Sequence, residues 1–280
     1  MNILKFIESF TNEGVIKSLG EKHSRRESFT QFGNMGKMAA FAAAPLGIAA
    51  LLTPNKTRAA SASSAAFFAA AAETPTQALQ LALTLEYLED EFYQIALDTN
   101  GLIPQADRDI IAQISQHEAA HVDFLRQALG NDAPEKPTFD FTGGQGNPGG
   151  PFNPFQDYQV FLVMSQAFED TGVRAYKGQA GNLMSKPDLL QAALQIHSVE
   201  ARHASQIRRL RGLKGWIPGN DEGGHPDAVN AVYAGENVTN QAGFNTATVP
   251  NIPAIAGSES FDEPLTGAQA TSIASLFIVS

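Results

Sequence analysis

Between residues 75 and 211, apolar side chains recur at helical spacing in four stretches, each bounded by recognisable start and stop signals. Thr74-Pro75-Thr76-Gln77 reads as an N-cap, a proline at the first helical position and a glutamine closing a capping box. Leu79, Leu83, Tyr93 and Leu97 follow on one face until Asn100-Gly101. A second helix opens at Pro104, carries Ile111, Ile114 and Leu125, and stops at Gly130. The third is expected over 155–180 through Leu162, Val173 and Tyr176. The fourth is expected over 187–211 through Leu190, Ala193 and Ile207.

Each helix is about 25 residues, or ~37 Å long. The first and second pairs are joined by only a few residues, which makes each pair an antiparallel hairpin. Between the pairs lie residues 130–154, too rich in Gly and Pro for regular structure. Extended, that segment reaches up to ~80 Å, enough to run the length of a bundle. The expected fold is therefore all-α: a four-helix bundle of two hairpins joined by one long crossover. After Gly212 the chain turns Gly-, Asn-, Pro- and Thr-rich, and a short terminal helix is expected over 266–278. Residues 213–280 read as a loop-rich extension packed over the bundle.

The apolar stripes are interrupted in one respect. Glu86, Glu118, Glu169 and Glu200 sit on the stripes that should face the core, as do His121 and His203. Unpaired buried carboxylates cost several kcal/mol each, so proteins neutralise, pair or coordinate them. Counted from the helix ends, Glu86, Glu118 and Glu200 lie ~17–18 Å along their axes and Glu169 ~21 Å, so all four meet at mid-height. Glu118/His121 and Glu200/His203 are i,i+3 pairs that point from one helix face. One Glu from each of two helices, with Glu-x-x-His from each of the other two, is the constellation of a di-iron or di-manganese site. The halves also repeat: Glu86 precedes Glu118 by 32 and Tyr93 by 7, and Glu169 precedes Glu200 by 31 and Tyr176 by 7. Two readings compete with a dinuclear site. One is a metal-free polar centre held by hydrogen bonds. The other is the zinc-protease helix spelled by His117, Glu118 and His121, which leaves the 169/200 repeat unexplained.

LALTLEYLEDEFY, HEAAHVDFL, AFEDTGVRAY and VEARHASQIRRLRG together resemble the ferritin-like superfamily, specifically the group that includes the plant and bacterial desiccation-related proteins. The resemblance covers about residues 75–212. It implies a carboxylate-bridged metal pair with Glu86, Glu118, His121, Glu169, Glu200 and His203 as ligands. The pair would be two Fe or Mn ions, with Zn as a further occupant, and O₂ or H₂O₂ as reaction partners. EARH resembles the E-x-R-H of di-iron enzymes and implies Arg202 beside the site. The long tail departs from cage-forming relatives, so a homo-oligomer is compatible with the sequence but a storage shell is not expected. The expected activities are ferroxidase or catalase-like peroxide removal. The alternative is a non-enzymatic, stress-protective bundle whose site is empty or structural.

Around these ligands, Glu89 lies one turn from Glu86 and is a candidate for a further ligand carboxylate, but its counterpart in the second half is Gly172, so a solvated or outer role is expected for it. Asp170, beside Glu169, has the same ambiguity. Tyr93 and Tyr176 suit either a hydrogen bond to a ligand carboxylate or aromatic core filling. His23, His197 and His225 have no evident partner in the sequence.

Composition and charge narrow the function further. The 280 residues include 43% hydrophobic side chains and no cysteine, which excludes disulfides, thiolate nucleophiles and iron–sulfur clusters. Residues 1–62 hold eight Lys/Arg against four Asp/Glu, although the whole chain carries −10. The remainder is thus strongly acidic, which attracts cations and repels nucleic acid. Arg25-Arg26, the apolar run over 38–52 and Ala60-Ser61-Ala62 have the layout of an export signal resembling the twin-arginine type. Phe29 falls one place late for that pattern. The run is shorter than the ~20 residues of a membrane span. Residues 1–62 are expected to be the signal, with an uncleaved anchor as the alternative, and 63–212 the bundle domain. The expected location is the periplasm or cell envelope.

Overall fold

A computed structural model describes residues 73–220 and 226–279. The export segment read from residues 1–62 lies outside the described residues. Four long helices form the frame: α1 Pro75–Asp98, α2 Gln105–Leu129, α3 Tyr158–Gln179 and α4 Pro187–Leu210. The capping box at the start of α1 is made as expected. The Gln77 amide donates to Thr74 Oγ1 at 3.2 Å and the Thr74 amide to Gln77 Oε1 at 2.9 Å. α3 starts three residues later than the apolar pattern suggests. Asp157 takes the N-cap, its carboxylate accepting from the Gln159 amide at 2.8 Å, while residues 153–156 close a turn of their own.

α1 packs along α2 and α3 along α4, and the hairpins meet mainly through α1 and α3. The crossover is anchored rather than slack. It delivers Phe141 and Phe155 to a buried aromatic cluster around Phe92, which also stacks on Phe161 with ring centroids 5.2 Å apart. It also pairs with the end of the chain: the Asp140 amide donates to Phe277 O at 2.8 Å and the Val279 amide to Thr138 O at 2.9 Å.

Beyond α4 come α5 Asn230–Tyr233, a short hairpin of β1 Asn240–Gln241 and β2 Phe244–Asn245, α6 Ile255–Ser258 and α7 Gly267–Ala274. The tail lies over the bundle as expected, and two buried arginines fasten it. Arg174 of α3 donates from Nε to Glu263 O at 2.6 Å, from Nη2 to Ala234 O at 2.9 Å and from Nη1 to Val232 O. Its Nε also lies 2.7 Å from Glu236 Oε1. Arg208 of α4 donates to Asp170 Oδ2 at 2.6 Å, and Tyr233 of α5 donates to the same oxygen at 3.0 Å. Gly178 makes the close approach possible: a Cβ there would stand 1.8 Å from Leu265 O. Among the described residues no helix is long and apolar enough to cross a membrane.

Candidate metal centre

The four helices bring the interrupting residues of the stripes to one place. α1 supplies Glu86, α2 Glu118 and His121, α3 Glu169, and α4 Glu200 and His203. All four carboxylates are fully buried, His203 is 4% exposed, and the His121 side chain is 11% exposed. Their donor atoms form two overlapping groups, each with every atom within 4.8 Å of the others: Glu86, Glu118, His121 and Glu200, and Glu118, Glu169, Glu200 and His203. Glu118 and Glu200 belong to both groups.

Individual oxygens divide the same way. Glu118 turns Oε2 to His121 Nδ1 at 2.9 Å and Oε1 to His203 Nδ1 at 2.7 Å. Glu86 gives Oε2 to His121 Nδ1 at 3.2 Å, while its Oε1 accepts from the Tyr176 phenol at 2.5 Å. Glu169 gives Oε2 to His203 Nδ1 at 3.3 Å, while its Oε1 accepts from the Tyr93 phenol at 2.5 Å. The outer pair thus offers one oxygen each, and Glu118 offers two.

Hydrogen bonds cannot satisfy this crowd. Three carboxylates lie within 3.2 Å of His121 Nδ1, and one ring nitrogen has at most one proton to give. Glu118 Oε1, Glu169 Oε2, both Glu200 oxygens and His203 Nδ1 are buried without an aligned hydrogen bond, although ion-pair distances among them are short. Burial pushes the Glu118 carboxyl up to about 7, the Glu200 charge adding and the two histidine bonds opposing. Glu200 is pushed up to about 8 by burial and the charge of Glu86. Burial lowers the His203 pKa, but the Glu169 charge and the close Glu118 carboxylate outweigh it and hold the ring up at about 11. Such a site is suited to hold cations, whether protons or metal ions. Four carboxylates offset two divalent cations with no residual charge, and Glu with His suits Fe, Mn or Zn. The residues present therefore fit a pair of metal ions.

An outer layer orients these groups. Both tyrosines bond to ligand-type carboxylates, and burial with the neighbouring Glu charges keeps their phenols protonated well above the usual range. His203 presents its other nitrogen, Nε2, to His117 Nδ1 at 2.9 Å, and His117 Nε2 meets the Gln113 amide at 2.9 Å. His117 therefore stands behind His203 and joins neither ligand group, which removes the basis of the zinc-protease reading.

Glu89 is 2% exposed rather than solvated; burial and the surrounding Glu charges raise its pKa well above the ordinary value. Gly172 leaves it room. A Cβ there would stand 3.3 Å from Glu200 Oε2 and 3.5 Å from Glu89 Oε1. Asp170 serves Arg208 and Tyr233 instead of the centre. Arg202, expected beside the site, is exposed and donates to Ser198 O one turn back, because its position on α4 points away from the bundle. His197 joins neither group, and His23 and His225 lie outside the described residues. The roles of His117 and Glu89 depend on contacts between helices, and spacing within one helix does not show them.

A family model described as a ferritin-like domain matches residues 74–213, half of the chain, with limits that coincide with the four long helices. No curated protein matches the chain.

Proposed function

Because this chain belongs to the ferritin-like domain family, we propose that its bundle holds a carboxylate-bridged pair of Fe or Mn ions and acts as an oxidoreductase on O₂ or H₂O₂, by ferroxidase or catalase-like chemistry. The observation that carries this reading is the pair of overlapping donor groups that share Glu118 and Glu200. Glu86 and His121 would complete one position, and Glu169 and His203 the other. Bound there, two redox-active ions supply neighbouring electron donors and acceptors for an oxygen species.

The chain's own residues prepare that chemistry. Four fully buried carboxylates set the charge at which two divalent ions are neutral. The Tyr93 and Tyr176 phenols each hold one oxygen of an outer Glu, so the other oxygen faces the centre. His117 fixes the ring of His203 through its far nitrogen. Glu89 is buried in the same neighbourhood, and burial with the surrounding Glu charges raises its pKa well above the ordinary value.

Within the family, the HEAAH and VEARH motifs support kinship with the group that includes desiccation-related proteins. The Arg25-Arg26 segment supports export to the periplasm or envelope, and a twin-arginine route would let the metals load before transport.

The test is turnover, read as O₂ consumed by the Fe²⁺-loaded protein or O₂ released from H₂O₂. Full-length protein given Fe²⁺ or Mn²⁺ without oxygen is mixed with O₂ or H₂O₂ in an electrode cell. Turnover that falls about 100-fold or more in Glu200→Ala supports the proposal. Absence of turnover with either metal and either oxidant overturns it.

A further inference from the structure

The two sides of the bundle close over the centre differently. On the α1/α3 side, α7 lies across both helices. Ile273, Ala274 and Phe277 cover Glu89 there, leaving a void of about 10 Å³, space for no more than a single water. On the α2/α4 side a cleft of about 260 Å³ opens between the helices, lined by His121, Phe124, Ala192, Gln195, Ile196 and Val199.

The same asymmetry divides the two histidines. His203 is backed by His117, whose ring stacks on it at 5.1 Å between centroids, so nothing can approach along that nitrogen. The position equivalent to His117 in the second half, one residue before Glu200, is Val199. Valine offers no hydrogen bond, and it lines the cleft beside His121 instead. The internal repeat is thus broken at one position, and the opening lies there.

We propose that this cleft is the entry and docking site for dioxygen. It would reach the centre on the Glu86/His121 side, with the Glu169/His203 side sealed. The inference rests on the proposed oxidoreductase reading. The lining carries no Asp, Glu, Lys or Arg to guide an ion. Its apolar walls instead suit a molecule that loses little hydration on entering, and the Gln195 amide offers a polar contact near the mouth.

The experiment uses dioxygen gas as the probe, because its paramagnetism speeds the nuclear relaxation of nearby protons. Full-length protein with isotope-labelled histidine is measured under dioxygen pressure, both with diamagnetic Zn²⁺ and without added metal. The His121 ring should relax several-fold faster than the His203 ring. Ala192→Trp, which fills the cleft, should bring His121 down to the level of His203. Val199→Phe serves the same purpose if the larger substitution does not fold.

Equal enhancement at both rings, or enhancement at His121 that survives both fillings, overturns the proposal. Metal content of the same variants is measured alongside. Wild-type metal loading with no dioxygen at His121 defeats the cleft alone, whereas failure of every metal to bind defeats the oxidoreductase reading and leaves the relaxation result standing.

Discussion

The Tyr93 phenol donates a 2.5 Å hydrogen bond to Oε1 of Glu169, the carboxylate of the opposite half of the bundle. Tyr176 returns the same bond to Glu86, so the internal repeat extends beyond the ligand-type residues into the groups that hold them. Tyr93→Phe should free one Glu169 oxygen and weaken metal binding at the Glu169/His203 position about 10- to 100-fold, the usual cost of losing an outer-layer partner. Tyr176→Phe should do the same at the Glu86/His121 position. Calorimetric titration with Mn²⁺ checks both; two substitutions that leave both binding steps unchanged would show that the phenols only fill space.

Acidity should act in opposite directions on the metal-free and metal-loaded protein. Burial raises Glu118 and Glu200 to about 7 and about 8, so the folded state holds their protons more tightly than the unfolded chain, where Glu titrates near ~4.3. Their contribution to stability is complete below that unfolded value and is lost as pH rises through 7 and 8. His203, held up at about 11, contributes below its unfolded value of ~6.5 and loses that contribution as pH rises through 11. The melting temperature of chelator-treated protein should therefore fall from pH ~5 to ~9. With Mn²⁺ in excess it should rise over the same window, because the ions displace those protons. Parallel curves with and without metal would contradict the assignment.

The tail should behave as part of the bundle. Arg174 and Glu236 form a buried ion pair, with side chains 1% and 0% exposed. Arg174→Met leaves Glu236 buried without its cation, which should cost about 3–5 kcal/mol. Urea unfolding measures it, and adding Glu236→Gln should recover part of the loss. Gly178→Ala should also loosen the tail, since its Cβ would meet Leu265 O at 1.8 Å. Protease cleavage within 226–265 reads that loosening, and wild-type resistance in both variants would show the tail held by other means.

Most of the frame was legible in the sequence, for local reasons. The capping box at Thr74 and the stop at Gly130 set helix boundaries through their own backbone chemistry. α3 began late because the Asp157 cap outweighed an apolar pattern already running through Phe155. The six ligand-type residues were visible because a carboxylate on an apolar stripe conflicts with its surroundings, and the conflict recurred at matched spacing. For Glu89 the sequence left a solvated and an outer role open, because its burial comes from α7 and Gly172, far along the chain. Arg202 was misplaced because a motif gives spacing and not the side of the helix. The tail's composition concealed its anchors, because these are mostly backbone carbonyls reached by Arg174.

The most direct test of the dinuclear centre is elemental analysis of full-length protein purified without added metal or chelator. About two Fe or Mn ions per chain are expected, falling to about one in Glu86→Ala and to almost none in the Glu118→Ala/Glu200→Ala double variant, which removes both shared carboxylates. Protein that carries no metal, and takes up none when offered Fe²⁺ or Mn²⁺, would contradict the account.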